Sequence, residues 1–309
     1  MTTYQGIESY TSSRKTVVTI GTFDGVHVGH RTIIRRLVDA AKAKNCESVI
    51  LTFFPHPRVV LQGAESIQLL NTIEERIELL TQTGIDALIV HPFDTAFSSL
   101  SAEDFIKSVL VDQLQVQQII AGHDHRFGKN RTADYQDLVK FGEKYGFEVS
   151  QIEAEMLHEV KVSSTKIRTA LLAGEIKLAN AFLGHPYLLH GVVTQGKQLG
   201  RTIGFPTANL HIPEAYKLVP KRGVYVVRSS LQNKLVYGLM NIGIRPTVDG
   251  THQTIEVHFL DFEENLYGQK IRVELLDFIR DEQKFASVDA LKKQLELDKQ
   301  WAEQAIARF

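Results

Sequence analysis

The sequence predicts two domains: an α/β domain built on a parallel sheet, then an antiparallel β-barrel or sandwich that ends in one helix. In the first half, apolar strand-like segments alternate with amphipathic helix-like segments. Beyond about residue 185, segments rich in Val, Ile, Tyr and Phe follow one another with only Gly, Pro and Asn between them. The length of 309 residues also suits two domains of roughly 150 residues each. We therefore divide the chain into 1–184 and 185–309.

The strands predicted for the first half are apolar along most of their length. They are "TVVTI" (16–20), "SVILTFF" (48–54), "DALIV" (86–90), "QQIIAG" (117–122) and "FEVSQI" (147–152). The helices predicted between them are "HRTIIRRLVDAAKA" (30–43), "TIEERIELLTQTG" (72–84) and "SAEDFIKSVLVDQL" (101–114). This alternation indicates a parallel sheet covered by helices on both faces. Ligands of such sheets bind beyond the carboxyl ends of the strands.

The second half is predicted to be mostly β-structure. Its strand-like segments are "YLLHGVVTQG", "GVYVVRSS", "KLVYGLMNIG", "QTIEVHFLDF" and "QKIRVELLDFI". A closing helix in "SVDALKKQLELDKQWAEQAIARF" would place Val288, Leu291, Leu295 and Ala305 on one face. Short strands without intervening helices indicate an antiparallel barrel or sandwich.

Composition excludes several classes of protein. Hydrophobic residues make up 43% and charged residues 23% of the chain, and the net charge is −1, so no overall field attracts nucleic acid or an anionic membrane. The polar N-terminus lacks the apolar core of a signal peptide. No apolar run approaches the roughly 20 residues that span a bilayer. We expect a cytoplasmic protein with small-molecule substrates and no nucleic-acid or membrane partner. The sequence leaves self-association open.

The segment "GTFDGVHVGH" (21–30) follows the first strand and opens the first helix. Glycines there let the backbone approach a phosphate, and the helix start near Gly29 offers unpaired N–H groups. His27 and His30 are three residues apart, so both imidazoles can face one side and donate to phosphate oxygens. Either histidine could instead be structural. A zinc site would need further ligands, and His56 and His91 lack suitable spacing.

The segment "GKQLGRTIGFPTANL" (196–210) combines glycines with cations and oxygen ligands. Its backbone N–H groups could cradle phosphates. Thr207 supplies a hydroxyl and Asn209 a carboxamide oxygen, which are hard ligands suited to Mg²⁺ in a nucleotide complex. Composition alone also allows a simple glycine-rich hairpin loop.

Several segments together carry a resemblance to a known family. "GTFDGVHVGH" resembles the H-x-G-H motif of nucleotidylyltransferases. With "TFFPHP" (52–57), "AGHDHRFGKNR" (121–131) and "VSSTKIR" (162–168), it resembles bacterial bifunctional riboflavin kinase/FAD synthetases. "GRTIGFPTAN" is similar to the G-x-x-x-G-F-P-T-A-N motif of riboflavin kinases. The resemblance covers roughly 15–309 and departs from the family pattern at Phe54 and at the histidines of "GHDHRFG".

The resemblance implies a Rossmann-like FMN adenylyltransferase domain in 1–184, which converts FMN and ATP to FAD and pyrophosphate. It implies that His27 and His30 are catalytic and stabilise the charge at the α-phosphorus. The other nucleotide-binding residues it implies here are Gly21, Phe23, Gly29, Ser164, Thr165 and Arg168. The flavin-binding residues it implies here are Asp124, Arg126 and Phe127.

For 185–309 the resemblance implies a riboflavin kinase β-barrel that makes FMN from riboflavin with MgATP. Glu256 would be the base, although by pattern alone it could be an outward strand residue. The nucleotide-binding residues implied here are Gly196, Lys197, Gly204, Thr207 and Asn209, of which Thr207 and Asn209 would also bind Mg²⁺. The flavin-binding residues implied here are Arg280, Glu282 and Phe285.

Three other interpretations stay open at this point. The first half could transfer adenylyl groups to pantetheine or nicotinate nucleotides, although "GFPTAN" would then have no explanation. The barrel could be a binding module for RNA or a flavin sensor without turnover. The chain could also have lost one of its two activities.

Overall fold

The computed structural model describes residues 1–308 except 65–66, 123–125, 153–161, 197–198 and 248–249, and the side chains at 199, 245–247 and 250–252 are also outside the description. The chain divides into two compact units, Met1–Ser164 and Thr165–Phe309. A parallel α/β unit precedes a closed antiparallel barrel with a C-terminal helix, so the predicted fold class is confirmed. The predicted domain boundary, between residues 184 and 185, lies about 20 residues after this division and stays a prediction.

Six strands form the sheet of the first unit. They are β1 (Thr2–Gln5), β2 (Thr16–Ile20), β3 (Glu47–Phe54), β4 (Ala87–Pro92), β5 (Val116–Ala121) and β6 (Glu148–Gln151). All their pairings are parallel, in the order β1-β4-β3-β2-β5-β6. The sequence analysis missed β1, because "TTYQ" is polar and only half-buried and carries no apolar pattern.

The helices of the first unit cover this sheet. They are α1 (Val28–Ala43), α2 (Pro57–Gln62), α3 (Ile73–Thr81), α4 (Thr95–Ser98), α5 (Ala102–Asp104) and α6 (Tyr135–Tyr145). The helix predicted over 101–114 continues after α5 as a π-helix, Phe105–Gln113. Its buried residues are Phe105, Ile106, Val109 and Leu110.

The order of the strands explains where a ligand can bind. β2 lies between β3 and β5, so the chain leaves β2 toward one side of the sheet and later returns to its other side. A crevice forms at such a switch point, beyond the carboxyl ends of the two strands. The segment 21–30 follows β2, and Gly122 follows β5. The topology therefore places the predicted histidine motif at the ligand crevice.

The second unit contains a closed six-stranded barrel. Its strands are β7 (Tyr187–Thr194), β8 (Ala208–His211), β9 (Gly223–Leu231), β10 (Lys234–Thr247), β11 (Gly250–Phe259) and β12 (Lys270–Arg280). They close in the order β10-β11-β8-β7-β12-β9, with antiparallel pairings. Strand β8 begins inside "GFPTANL", which the sequence analysis treated as a loop. Four helices belong to this unit: α7 (Ser164–Ala173, from its second residue on), α8 (Ile176–Leu183), α9 (Leu199–Thr202) and α10 (Val288–Ile306).

The buried face of α10 differs from the prediction. Val288 is 55% exposed, whereas Ala302 and Ala305 are buried. They pack in a cluster whose barrel members are Val224, Val226, Leu239 and Leu276. Only the C-terminal half of α10 lies on this apolar part of the barrel, so the predicted face was wrong at the start of the helix. Of the helices in the described residues, none is at once long and apolar enough to cross a membrane.

Candidate active sites

The loop between β2 and α1 is a tight, buried turn. Phe23, Gly25 and Val26 have φ values of 48°, 90° and 41°. Side chains rarely adopt this left-handed region, above all a β-branched residue such as valine. Phe23 and Val26 are nevertheless buried, at 3% and 0% exposure. Such a turn persists only where its surroundings hold it.

Asp24 supplies the contacts that hold this turn. Its carboxylate accepts hydrogen bonds from the N–H groups of Leu70 (3.0 Å) and Asn71 (3.2 Å), just before α3. The Asn71 side chain in turn accepts from the Gly25 N–H at 2.8 Å. The backbone oxygen of Asp24 accepts from Ser164 Oγ at 2.9 Å. The structure thus brings the predicted Ser164 to the motif, through an aspartate that the sequence analysis did not single out.

His27 is the N-cap of α1, and this fixes its tautomer. Its Nδ1 accepts a hydrogen bond from the backbone N–H of His30 at 3.3 Å. An accepting Nδ1 carries no proton, so neutral His27 has its proton on Nε2. The side chain therefore caps the helix with one nitrogen and keeps the other as a donor.

The two histidines are stacked. Their ring centroids are 3.6 Å apart with an interplanar angle of 15°, and the Phe23 ring lies 5.1 Å from the His30 ring. Desolvation, and then the positive charges of His27 and Arg76, lower the pKa of His30 well below its ordinary value. His30 Nδ1 is buried and has no hydrogen-bond partner. A neutral His30 with its proton on Nε2 fits this environment, because a protonated Nδ1 would need an acceptor.

The remaining nucleotide-site residues of the first half are placed as follows. Gly21 directly follows β2, and its N–H extends the pairing with β3 by donating to Leu51 O at 3.1 Å. Gly29 is buried in the first turn of α1. Thr165 and Arg168 lie on α7 in the second compact unit. Their contacts with ATP stay a prediction.

The flavin residues predicted for the first half are only partly described. Asp124 lies outside the described residues. Arg126 is exposed, whereas Phe127 is 7% exposed and packs in the core against Phe105 and Phe141. The position of Phe127 suggests a packing role, and its contact with flavin stays a prediction.

An aromatic cluster lies where β3 and β4 end, and the sequence analysis missed it. Phe53, Phe93 and Phe97 have ring centroids 5.5–5.9 Å apart. Phe93 and Phe97 keep part of their surface exposed. The pattern "HPFDTAF" after a strand was the available signal, because the end of β4 lies at the ligand edge of the sheet.

The other two histidines considered for a metal make structural contacts. His56 caps α2 by accepting from the Arg58 N–H at 3.1 Å, and His91 Nδ1 accepts from the Ile7 N–H at 3.2 Å. Within the described ranges, no group of three or more His, Cys, Asp or Glu residues could hold a metal ion.

The site of the second unit is built by strand pairing. Glu256 on β11 lies opposite Asn209 on β8 and opposite Asn241 on β10. Directly paired residues share a face of the sheet. The flanking Ile255 and Val257 are buried in the barrel, so the three polar side chains lie on its outer face. Glu256 is therefore an outward residue, as its pattern allowed.

Thr207 and Asn209 converge on Glu256. Thr207 Oγ1 donates to Glu256 Oε2 at 3.2 Å. A Cβ built on Gly196 would overlap the Asn209 carboxamide, so the absence of a side chain at Gly196 makes room for that amide. Hydroxyl, carboxamide and carboxylate oxygens together are the donor set that Mg²⁺ prefers beside a nucleotide. The residues present therefore fit a magnesium ion.

Two contacts fix the glycine-rich loop that precedes Thr207 and Asn209, one within the loop and one to β11. The Phe205 N–H donates to Gly200 O at 2.8 Å, in a turn too tight for a side chain at Gly200. His258 Nδ1 lies 2.8 Å from Pro206 O and donates to it, since a carbonyl only accepts. The Phe205 and His258 rings are 5.1 Å apart. His258 was missed, although its i+2 spacing from Glu256 in a strand was a usable signal.

Three other residues predicted for the second half have different surroundings. Gly204 has φ 86° and is exposed, and Lys197 lies outside the described residues. Glu282 reaches β10, where its Oε1 accepts from the Ile244 N–H at 3.3 Å. The flavin contact of Glu282 stays a prediction.

Arg280 is engaged with α10. Its Nη2 donates to Asp298 Oδ2 at 2.7 Å and its Nε to Asp298 Oδ1 at 2.9 Å. Its guanidinium lies 5.9 Å from the Phe285 ring. This bidentate ion pair joins the end of β12 to α10. The flavin contacts of Arg280 and Phe285 stay predictions.

Comparison with known proteins assigns both halves of the chain. The FAD synthetase family model matches residues 9–166, and the riboflavin kinase family model matches residues 183–306. A bifunctional riboflavin kinase/FMN adenylyltransferase of Escherichia coli K12 is 40% identical over 283 residues, which are 91% of this chain and 90% of the relative. The Bacillus subtilis 168 relative of the same name is 37% identical over 293 residues, 93% and 92% of the two chains.

A crystal structure supports the same fold over nearly the whole chain. It is described as a macrolide-efflux protein from Streptococcus pneumoniae, is 32% identical, and has a TM-score of 0.87. The likeness covers 97% of this chain and 98% of that one. The resemblance seen in the motifs is therefore confirmed, and the chain belongs to the family of bifunctional riboflavin kinase/FMN adenylyltransferases.

Proposed function

We propose that the chain makes FAD from riboflavin in two steps, at two separate sites. The barrel phosphorylates riboflavin to FMN with ATP, and the α/β unit transfers an adenylyl group from ATP to FMN. The observation that carries this proposal is the presence of one complete polar arrangement in each family-matched half: the stacked His27–His30 pair, and the row of Asn209, Glu256 and Asn241. We retain 184/185 as the functional boundary, because the kinase model begins at 183.

In the adenylyl transfer, an oxygen of the FMN phosphate attacks the α-phosphorus of ATP, and pyrophosphate leaves. His27 and His30 donate their Nε2–H groups to phosphate oxygens, where negative charge develops during the displacement. The backbone N–H groups in the first turn of α1 and its positive dipole end act on the same oxygens. No side chain needs to form a covalent bond. Catalysis therefore comes from positioning and electrostatics.

Two further groups support this site. The exposed surfaces of Phe93 and Phe97 offer an apolar, aromatic platform at the same edge of the sheet, suited to a planar isoalloxazine ring. Ser164 holds the motif loop through the backbone of Asp24. We propose that its contribution is to position the loop, in addition to the nucleotide contact that the family implies.

In the kinase reaction, the terminal ribityl hydroxyl attacks the γ-phosphorus, and ADP leaves. Glu256 accepts the hydroxyl proton as the O–P bond forms. Thr207 and Asn209 would hold Mg²⁺, which supplies neutralising charge to the phosphates when it is bound. The Thr207 hydroxyl also orients the Glu256 carboxylate. The glycine loop, fixed by Gly200 and His258, covers the phosphates with backbone N–H groups.

The test is a time course with purified protein, riboflavin, ATP and Mg²⁺, in which flavins are separated by chromatography. We expect FMN to appear first and FAD to follow. FMN without FAD, also when FMN is supplied, would contradict the proposal for the α/β unit. Absence of FMN would contradict it for the barrel. The cytoplasmic location and the absence of nucleic-acid and membrane partners remain predictions.

A further inference from the structure

A fully buried arginine lies beside the histidine pair. Arg76, on α3, has 0% exposure and is among the largest completely buried side chains of the described residues. Arginine is rarely buried to this extent, because its charge loses hydration. In this protein the buried charge lies at the carboxyl edge of the sheet, where the adenylyl-transfer site is proposed.

Hydrogen bonds connect Arg76 to the motif loop. Its Nη1 donates to Phe53 O at 3.3 Å and to Thr52 Oγ1 at 3.4 Å, at the end of β3. Thr52 Oγ1 in turn donates to Thr22 O at 3.3 Å, in the loop that precedes the histidines. A side chain of α3 is therefore coupled through β3 to the loop that carries His27 and His30.

The charge of Arg76 also acts on His30. Among the described residues, His27 at the start of its helix and Arg76 on α3 act on this imidazole by their charge. The buried Glu75, next to Arg76 on α3, accepts from the Thr72 N–H at 2.8 Å. Asp24 accepts from two backbone N–H groups before α3, and Arg31 Nε donates to a loop carbonyl at 3.3 Å. Desolvation and the charges of His27 and Arg76 all lower the pKa of His30.

Protonation of His30 would disturb the arrangement. A positive ring would lie at the positive end of α1 and would be repelled by the charge of Arg76. That repulsion would move the ring out of the stack with His27, in which the centroids are 3.6 Å apart, and would displace its Nε2–H group. A neutral pair keeps both donors on a fixed geometry.

We propose that Arg76 is a positioning residue for adenylyl transfer, whose buried guanidinium holds the stacked His27–His30 pair in place by tying the end of β3 to the motif loop. Arg76 does not touch substrate, since its side chain is buried, and acts through His30. The inference rests on the proposed adenylyltransferase function of this unit.

The test compares three variants of the full chain in FAD formation from FMN, ATP and Mg²⁺, between about pH 5 and pH 8. Arg76→Gln keeps hydrogen-bond donors but removes the charge, and Arg76→Lys keeps the charge. Arg35→Gln is the matched control, because Arg35 is exposed on α1. Far-UV circular dichroism reports whether the α/β unit of each variant is folded, and FMN formation from riboflavin reports whether the barrel is intact.

We expect Arg76→Gln to move the acidic limb of kcat to higher pH by about one unit, the size of effect that a nearby charge produces. KM for FMN should change little. Arg76→Lys and Arg35→Gln should keep the wild-type limb. A wild-type limb in Arg76→Gln, or the same displacement in Arg76→Lys, overturns the proposal. A wild type that makes no FAD at all contradicts the proposed function instead.

A second measurement does not depend on catalysis. NMR titrations of the wild type, Arg76→Gln and Arg76→Lys follow the His30 ring directly, with the signal assigned by its loss in His30→Gln. We expect the pKa of His30 to lie below the ordinary histidine value of about 6.5 in the wild type and in Arg76→Lys, and to rise in Arg76→Gln. An unchanged pKa in Arg76→Gln would show that burial alone lowers it, and the proposal would fail. Should Arg76→Gln not fold, a raised His30 pKa in Arg76→Lys, which keeps the charge, would overturn the proposal.

Discussion

The histidine site and the Glu256 site position their polar groups by different means. In the α/β unit, a loop with unfavourable φ angles at Phe23 and Val26 is held by Asp24, which reaches the chain before α3. In the barrel, strand register alone aligns Glu256 with its two asparagine neighbours. The first site therefore depends on side-chain hydrogen bonds that hold a loop, and the second on backbone pairing between strands.

The two sites also differ in the chemistry they offer to phosphate. The α/β site presents neutral N–H donors and a helix N-terminus, which act on the charge developing around the α-phosphorus. The barrel site presents oxygen atoms of Thr207, Asn209 and Glu256, which bind a cation or accept a proton. This difference in side chains agrees with the group that attacks at each site. At the α/β site an FMN phosphate oxygen attacks and has no proton to lose, whereas at the barrel site the ribityl hydroxyl needs a base.

The largest expected effect is that of Glu256→Gln. This change removes the base but keeps the size of the side chain, so FMN formation should fall by about 10²–10⁴-fold. FAD formation from supplied FMN should be unchanged, because the α/β site is intact. Flavin chromatography measures both rates in one preparation. Glu263→Gln is the control, because Glu263 is exposed. Kinase activity close to wild type in Glu256→Gln would show that another group takes the proton.

His30→Ala should produce the converse result. Removal of one donor to a developing oxyanion costs roughly 10²–10³-fold in rate, so FAD formation should fall by this factor. FMN formation should persist, and the far-UV circular dichroism spectrum shows whether the α/β unit is still folded. If His30→Ala abolished both reactions in a folded protein, the assignment of separate sites would be wrong.

Much of the α/β fold could be predicted, because its strands are apolar throughout and its helices amphipathic. Strand β1 was not predicted, since "TTYQ" has no apolar pattern and joins the sheet by backbone pairing with β4 and by one ring, Tyr4, that packs against the core. The π-helical turn after Asp104 was not predicted either, because helical periodicity does not separate α from π geometry over so short a segment.

The candidate sites were predictable to the extent that they lie in local motifs. His27, His30, Thr207 and Asn209 follow from segments of about ten residues. Asp24, Arg76 and Asn241 could not be found this way. Their roles arise from contacts across 46 residues for Asp24 and Leu70, or from strand register, and a single sequence shows neither.

Gly196→Ala is expected to have a moderate effect on the barrel site. The added Cβ overlaps the Asn209 carboxamide and should displace it from the phosphates, which raises KM for ATP and lowers FMN formation by about tenfold, the equivalent of one lost hydrogen bond. Rates of FMN formation at varied ATP measure this. The double variant Gly196→Ala with Asn209→Ala should be no worse than Asn209→Ala alone. Additive losses would show that Gly196 contributes by some route other than space for Asn209.

The smallest effect on rate is expected at the Arg280–Asp298 ion pair, which joins the end of β12 to α10. Changes to this pair should alter the stability of the barrel instead. Asp298 is 2% and Arg280 16% exposed in their side chains, so Asp298→Asn leaves a buried cation without its counter-charge. We expect a loss of about 3 kcal/mol in the free energy of unfolding of the barrel unit. Denaturant unfolding, with FMN formation as the signal of the folded barrel, measures it.

The control for this variant is Glu303→Gln, which breaks the exposed Lys299–Glu303 pair at 3.8 Å on the same helix. It should change stability by less than about 0.5 kcal/mol. The comparison also separates two roles of Arg280. A barrel of wild-type stability with a raised KM for riboflavin in Asp298→Asn would mean that Arg280 acts on flavin, as the family implies. Lost stability with an unchanged KM would mean that it mainly fastens α10 to the barrel, because a guanidinium that donates to the Asp298 carboxylate and to Asp281 O has few donors left for a substrate.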